Sequence, residues 1–271
     1  MAITSLDQVI AGMQPPEDFI KIGITMEAAG IYYSPFYVTG RPGAAVAPTG
    51  LDGTALTSYS GQIPFRNPVS GNSYLARLAV SCNINGTLLL CDRLWHNGSI
   101  VSTTTTEQAI THPGLPARCP PAVGSTPDTS GNTILCGIEV STVGVAGSIS
   151  NTTLNYTNQD GTSSRTGTMS SFPATPTLGT FVPFALQAGD IGIQSIQGIT
   201  LGTSYGAAVI HLVQYRVLAR VGIQDTSIGN AIDAISSGFP RLYDNTVPFL
   251  LWLPSAITAV TIQGQMIVTQ G

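Results

Sequence analysis

One pentapeptide in this chain has the form of a catalytic motif. Gly202-Thr203-Ser204-Tyr205-Gly206 matches G-x-S-x-G, the sharp strand-to-helix turn on which hydrolases expose a nucleophilic serine. A strand over 196–201 supplies the first half of that context. The second half fails. Val209, His211, Val213, Tyr215 and Val217 share one parity, a β-branched alternation that predicts a strand where the motif needs a helix. The order fails as well, because an acid and then a histidine must follow the serine. The one later histidine, His211, precedes every later aspartate. Motif matches come easily in Gly/Ser-rich chains, and this one is read as a glycine-bounded turn.

The other groups that could do chemistry are scattered. Asp92, Glu107, Glu139, Asp160, Asp190, Asp225, Asp233 and Asp244 could in principle supply a glycosidase pair, but no spacing brings two of them together. His96, His112 and His211 lie far apart and read as turn, loop and strand residues. Cys82, Cys91, Cys119 and Cys136 show no C-x-x-C pair and no metal-ligand spacing, so they are expected as buried small hydrophobes. No glycine-rich phosphate loop followed by lysine occurs. The expectation is a protein without enzymatic activity, cofactor or metal.

Charge is where the composition departs most from an ordinary domain. Asp, Glu, Lys and Arg make up 9% of the 271 residues, against about 25% in a typical soluble domain. Lys21 is the single lysine, beside nine arginines. Lysine keeps surfaces solvated and apart and is depleted at interfaces, where arginine and aromatics are enriched. A chain that gives lysine up is expected to work packed against copies of itself or a partner. A hydrophobic content of 43% excludes disorder, and a net charge of −4 gives no basic footprint for nucleic acid. The most apolar stretch, Val247 to Val260, is too short for a membrane span and contains Pro248 and Pro254. Met1 to Gly12 has no signal-peptide pattern, so a protein made in a cytoplasm and soluble until assembly is expected.

Two short helices are predicted against a β background. Ser5-Leu6-Asp7-Gln8 reads as a capping box, with Leu6, Val9, Ile10 and Met13 on one stripe and Pro15-Pro16 as the stop. Thr226 to Ser237 reads as the second, with Ile228, Ala231, Ile232 and Ile235 at helical spacing and Gly238 as its cap. Between them the period is two. Tyr74, Ala76, Leu78, Val80, Cys82 and Ile84 alternate, and Asn85-Gly86 then signals a type I′ hairpin into Thr87–Trp95. That hairpin would make Cys82 and Cys91 diagonal neighbours and pair Arg77 with Asp92. Further strands are expected at Ile134–Val140, Thr180–Gln187, Ile191–Leu201, Ala208–Val221 and Ile257–Thr269. Gly40–Gly53 and Thr111–Asn132, with its five prolines, read as loops.

These elements predict an all-β, antiparallel β-sandwich, jelly-roll-like, with two short flanking helices and extended terminal arms. The division expected is an arm over 1–65, a sandwich body over 66–223 and a C-terminal helix and strand over 224–271. Phe19, Tyr32, Tyr33, Phe36 and Tyr37 form an aromatic cluster in the arm beside Pro35. They either anchor an interface or close the arm over its own sandwich.

The segments TSLDQVIAGMQPPEDF (4–19), YYSPFYVTGRPGAA (32–45), LTSYSGQIPF (56–65), LLLCDRLWHNGS (88–99) and GTFVPFALQAGDIGIQSIQGITLGTSY (179–205) together resemble a family of tailed-bacteriophage virion proteins encoded among head genes. The resemblance runs to about Gly222 and weakens beyond it. It carries no chemistry of its own. By analogy with head-associated β-sandwich proteins, it implies a capsid decoration (cement) protein. The implied partners are the major capsid protein and copies of the chain itself as a homotrimer, with no nucleic acid and no membrane. The implied place is the capsid exterior, after synthesis in the cytoplasm of a host bacterium. A receptor-binding or tail-fibre head domain is the alternative, since Tyr or Trp95 could stack on sugars, but no coiled coil or repeat precedes it. A shell-forming capsid protein is the third, and no basic arm for a genome is present.

Overall fold

The computed structural model describes residues 3–144, 149, 151–169 and 171–271. They build an all-β, antiparallel architecture in three sheets, with strands numbered in chain order. The first sheet contains β1 (Glu17–Ile24), β3 (Gly40–Arg41), β5 (Ser73–Cys82), β14 (Asn230–Asp233), β15 (Arg241–Leu242) and β17 (Val260–Gln270), ordered β14-β5-β17-β1-β3 with β15 also on β5. The second contains β2 (Tyr32–Tyr33), β4 (Thr54–Ala55), β6 (Gly86–His96), β8 (Leu135–Thr142), β11 (Thr180–Pro183), β13 (Val209–Ile223) and β16 (Pro248–Pro254). Its order is β13-β8-β11-β2-β16-β6-β4, and β6 also pairs with β13, which closes six of the strands into a ring. The third is β10-β9-β12-β7, from β7 (Gln108–Ala109), β9 (Thr152–Asn158), β10 (Arg165–Met169) and β12 (Ile193–Thr200).

The period-two pattern of β13 explains how the layers meet. Ile210 and Leu212 pack with Leu154, Tyr156, Ile196 and Ile199 of the third sheet. Val213 and Tyr215 join Leu89, Cys91, Phe181 and Phe249 in a core within the ring. Further along, Ala219, Val221 and Ile223 pack with Leu75, Leu78, Ile262 and Met266 of the first sheet. The ring is therefore a middle layer, covered by a sheet on either side. Strands buried on both faces read as nearly continuous apolar runs, as Leu88 to Trp95 does.

The Asn85-Gly86 hairpin is not formed. β5 pairs with β17 and β14, whereas β6 pairs with β13 and β16, so residues 83–85 carry the chain from one sheet to another. Neither Asn85 nor Gly86 has the positive φ that a type I′ turn requires. The Asn85 carbonyl accepts from the Ser255 amide (3.1 Å) instead. Cys82 and Cys91 consequently lie in different cores, and Asp92 is paired with Arg118 rather than Arg77.

The helix expected over 226–237 is replaced by β14 and a turn. Asp233 Oδ1 accepts from the amides of Ile235 (3.1 Å) and Ser236 (2.9 Å), and Asp225 Oδ1 from that of Ser227 (2.7 Å). Local side-chain acceptors of this kind compete with helix formation. Ile232 packs toward the first sheet, while Ile228 and Ile235 are left exposed. The first helix is present as α1 (Leu6–Ala11), capped by Ser5 Oγ on the Gln8 amide at 3.3 Å. Gln8 Oε1 accepts from the Thr4 amide (2.6 Å), one residue earlier than the capping box requires. Its stripe stays largely open, with Leu6 68% and Ile10 57% exposed. Residues 17–24 lie between the last strand and β3 in the first sheet, and 32–37 contribute β2 and the 3₁₀ turn Pro35–Tyr37.

Candidate functional site

The densest grouping of polar side chains lies inside the ring, under the segment 34–63. Along β6 the inward parity runs Leu89, Cys91, Arg93. Arg93, fully buried, donates from Nη2 to Glu139 Oε2 on β8 at 2.6 Å and from Nε to His96 Nδ1 at 3.0 Å. Its guanidinium carbon lies 4.4 Å from the Phe36 ring centroid and 5.4 Å from that of Phe249. Burial opposes the Arg93 charge, but Glu139 and Tyr37 outweigh it and hold the group above its ordinary pKa. Tyr59 stands edge-on to His96, centroids 4.4 Å apart, at the floor of an open groove lined by Pro48, Thr54 and Ser58.

His211 adds a second branch. Its Nδ1 lies 2.8 Å from the Asn97 carbonyl oxygen and its Nε2 2.6 Å from Ser141 Oγ. A carbonyl can only accept, so Nδ1 carries the hydrogen and Nε2 accepts from the serine. By the same logic His96 carries its hydrogen on Nε2. Burial pushes His96 down to about 2, with the nearby Arg93 charge acting in the same direction, and His211 down to about 4, where Glu139 opposes it and Arg93 adds to it. Both rings are neutral at pH 7. Glu139 is committed to Arg93, so no carboxylate orients His211. This arrangement neutralises charge inside the ring and ties β6, β8 and β13 to the segment above them.

A second buried ion pair lies on the opposite parity of β6. Arg118, from the proline-rich loop, donates from Nε to Asp92 Oδ2 at 3.0 Å, from Nη2 to the Arg93 carbonyl at 2.9 Å and from Nη1 to the Leu56 carbonyl. Asp92 Oδ1 also accepts from the Val247 amide at 2.9 Å. This loop is thereby fixed to the ring.

The residues singled out in the sequence fall as follows. Ser204 Oγ accepts from the Gly206 amide at 3.0 Å, within a turn that leads into β13, and His211 bonds Ser141 instead. Phe19, Tyr33, Phe36 and Tyr37 are buried against their own sheets and Tyr32 is half-buried. Asp190 is held at about 2 by hydrogen bonds from Arg165, against a desolvation cost, with Tyr156 and Asn158 adding to the effect. His112 lies 2.5 Å from Gln214 Oε1. The four cysteines are buried free thiols, and burial pushes Cys119 up to about 11. Among the described residues no three His, Cys, Asp or Glu side chains are grouped as metal ligands, and no helix is long and apolar enough to cross a membrane. Sequence reasoning missed the Arg93–Glu139 and Asp92–Arg118 pairs. The available signal was charge inside an apolar strand, as in Leu90-Cys91-Asp92-Arg93-Leu94 and Gly137-Ile138-Glu139-Val140.

The surface follows from what is buried. Lys21 is 3% exposed and donates to the carbonyls of Val38 (3.0 Å) and Gly43 (3.3 Å), and burial lowers it to about 8. With it Asp92, Arg93, Arg118, Glu139 and Arg216 are also buried. A chain already poor in charge thus keeps no lysine on its surface. Leu6, Ile10, Val69, Val123, Ile235 and Ile257 are each more than half exposed.

No family model matches the chain, and no curated protein matches it. Among solved structures it is similar to infectious bursal disease virus, Gx strain, at 15% identity and a TM-score of 0.20, over 95% of this chain and 79% of that one. It is likewise similar to the VP2 subviral particle of infectious bursal disease virus, at 15% identity and a TM-score of 0.18 over 96% and 81% of the two chains. Likeness at that level establishes nothing about function.

Proposed function

We propose that this protein is a non-enzymatic virion structural subunit: a capsid decoration protein that lies on the lattice of a major capsid protein and acts by burying its surface there. The setting is the tailed-bacteriophage head suggested by the sequence resemblance, and the working form is a homotrimer across a joint between capsomers. The observation that carries the proposal is the surface. Burial of Lys21 and five other charged residues leaves an exterior without lysine and with large aliphatic side chains in water. Lysine depletion marks protein surfaces that are covered in their working state. An exterior of Ser, Thr and Asn suits wide, hydrogen-bonded and hydrated contact more than tight contact at one point.

The test is co-sedimentation of the purified protein with expanded capsid shells that lack it. Saturable binding is expected, at a stoichiometry set by the lattice. Leu6→Lys with Ile10→Lys should weaken it, because both side chains are exposed on α1 and neither holds the fold. Failure to sediment with shells, alongside binding to a cell-surface glycan, would replace this proposal with the receptor-binding alternative.

A further inference from the structure

We propose that the groove between residues 71–73, 116–118 and 241–245 is an oxyanion-binding site, which takes a carboxylate or phosphate group against Arg241, with the buried Arg216 bonded behind that wall to the Arg241 carbonyl. The groove has a volume of about 430 Å³ and is lined by Asn72, Ser73, Arg118, Arg241, Tyr243 and Asn245, among others. Three guanidinium groups converge behind and beside it. Arg118 is fully committed to Asp92 and to two carbonyls. Among the described residues the other two form no ion pair.

Arg216, on β13, is 7% exposed and donates one hydrogen bond, from Nη2 to the Arg241 carbonyl at 3.1 Å. Its guanidinium carbon lies 4.8 Å from the Tyr243 ring centroid, and that of Arg241 lies 4.7 Å from the same ring. Arg241 donates from Nη1 to the Ser125 carbonyl (3.0 Å) and from Nη2 to Asn72 Oδ1 (2.5 Å). The Nε atoms of both arginines are buried without a partner. Among the described residues the ion pairs are Arg93–Glu139, Arg118–Asp92 and Arg165–Asp190, so neither Arg216 nor Arg241 has one. Asp92 is the register partner of Arg216 across β6 and β13, but its oxygens are taken by Arg118 and the Val247 amide. Asp244 lies exposed at the rim.

The chain's other buried arginines, Arg93 and Arg118, each face a carboxylate, and Arg216 breaks that pattern. A buried cation without a counterion is unfavourable, and burial pulls Arg216 below its ordinary pKa, with Asp92 partly opposing. An anion entering the groove relieves that imbalance. A guanidinium fork matches two oxygens of a carboxylate or phosphate, and the exposed Asn245 side chain at the wall offers a further donor. The inference does not depend on the proposed place in the virion.

The experiment is calorimetric titration of the full chain with sodium phosphate and, separately, sodium acetate, with sodium chloride at matched ionic strength as reference. Saturable binding of either anion is expected, weakened at least about tenfold in Arg241→Gln and in Arg216→Met and partly kept in Arg241→Lys. Preference for phosphate assigns the site to a phosphorylated or phosphodiester ligand. Preference for acetate assigns it to a protein carboxylate. Heats no larger than those of chloride, or variants that bind as the parent does, overturn the proposal. Arg241 is at the groove's edge, so Arg241→Gln decides the matter if Arg216→Met does not fold.

Discussion

Glu139 and Arg93 have no contact with solvent, and among the described residues each forms its one ion pair with the other. Removing one charge from such a pair leaves the other buried and uncompensated, at a cost of about 3–5 kcal/mol. Glu139→Gln should therefore lower the unfolding free energy measured in urea by that amount, whereas Glu139→Leu with Arg93→Met should recover most of the loss. A single variant as stable as the parent would contradict the account of the cluster. The histidines predict a pH dependence. Burial holds His96 at about 2, and His112 and His211 at about 4, while the unfolded chain protonates near 6.5. Depressed folded values mean that the unfolded state binds more protons below 6.5. Stability is thus complete above 6.5 and falls as the pH drops toward 4, by about 1.4 kcal/mol per pH unit for each histidine. Urea midpoints across that window measure the slope, and a flat profile would contradict the burial. These residues were legible as isolated charges and histidines in apolar strands. Their partners were not, because β6 pairs with β13, and β13 with β8, only across long stretches of sequence.

At the scale of elements, the first sheet is held at one close approach. Gly264 on β17 lies opposite Phe19 on β1 and Val80 on β5. A Cβ there would come within 2.2 Å of the Ala79 carbonyl oxygen and 2.6 Å of the Phe19 ring. Gly264→Ala should cost about 1–3 kcal/mol through strand displacement. Gly222→Ala, where a Cβ meets nothing within 4 Å, should stay within about 0.5 kcal/mol. Equal effects of the two in thermal melts would deny that this approach sets the register. Most long strands were readable from period two, β13 and β17 within a few residues. The errors have two causes. Asn85-Gly86 has a strong local turn preference, but β5 and β6 each have longer partners elsewhere, and those pairings win. Ile228, Ile232 and Ile235 keep helical spacing, yet the Asp225 and Asp233 side chains capture the amides a helix would use.

For the whole molecule, a closed middle layer buries most of both faces of its strands, and Asp92, Arg93, Glu139 and Arg216 on those strands are buried with them, whereas Arg220 near the end of β13 stays exposed. The low charge content was visible in composition. That Lys21 on β1, Arg118 in the proline-rich loop and four charged groups of the ring would also be withdrawn was not, since each is buried by non-local packing that needs the topology. α1 rests on the end of β17, where the Thr269 hydroxyl donates to the Val9 carbonyl (2.7 Å) and the Gln270 amide to the Gly12 carbonyl (2.9 Å). Deleting residues 1–13 should remove the exposed apolar stripe and these edge contacts while leaving the three sheets paired, whereas a deletion through residue 45 would take β1 out of the first sheet. The most direct test of the proposed role is cryo-EM of expanded capsids lacking this protein after its addition, with occupancy measured at every lattice position. Saturating density at equivalent joints between capsomers, reduced by deletion of residues 1–13, is the predicted result. Absence of density on the shell, or density confined to a tail tip or a single vertex, would contradict it.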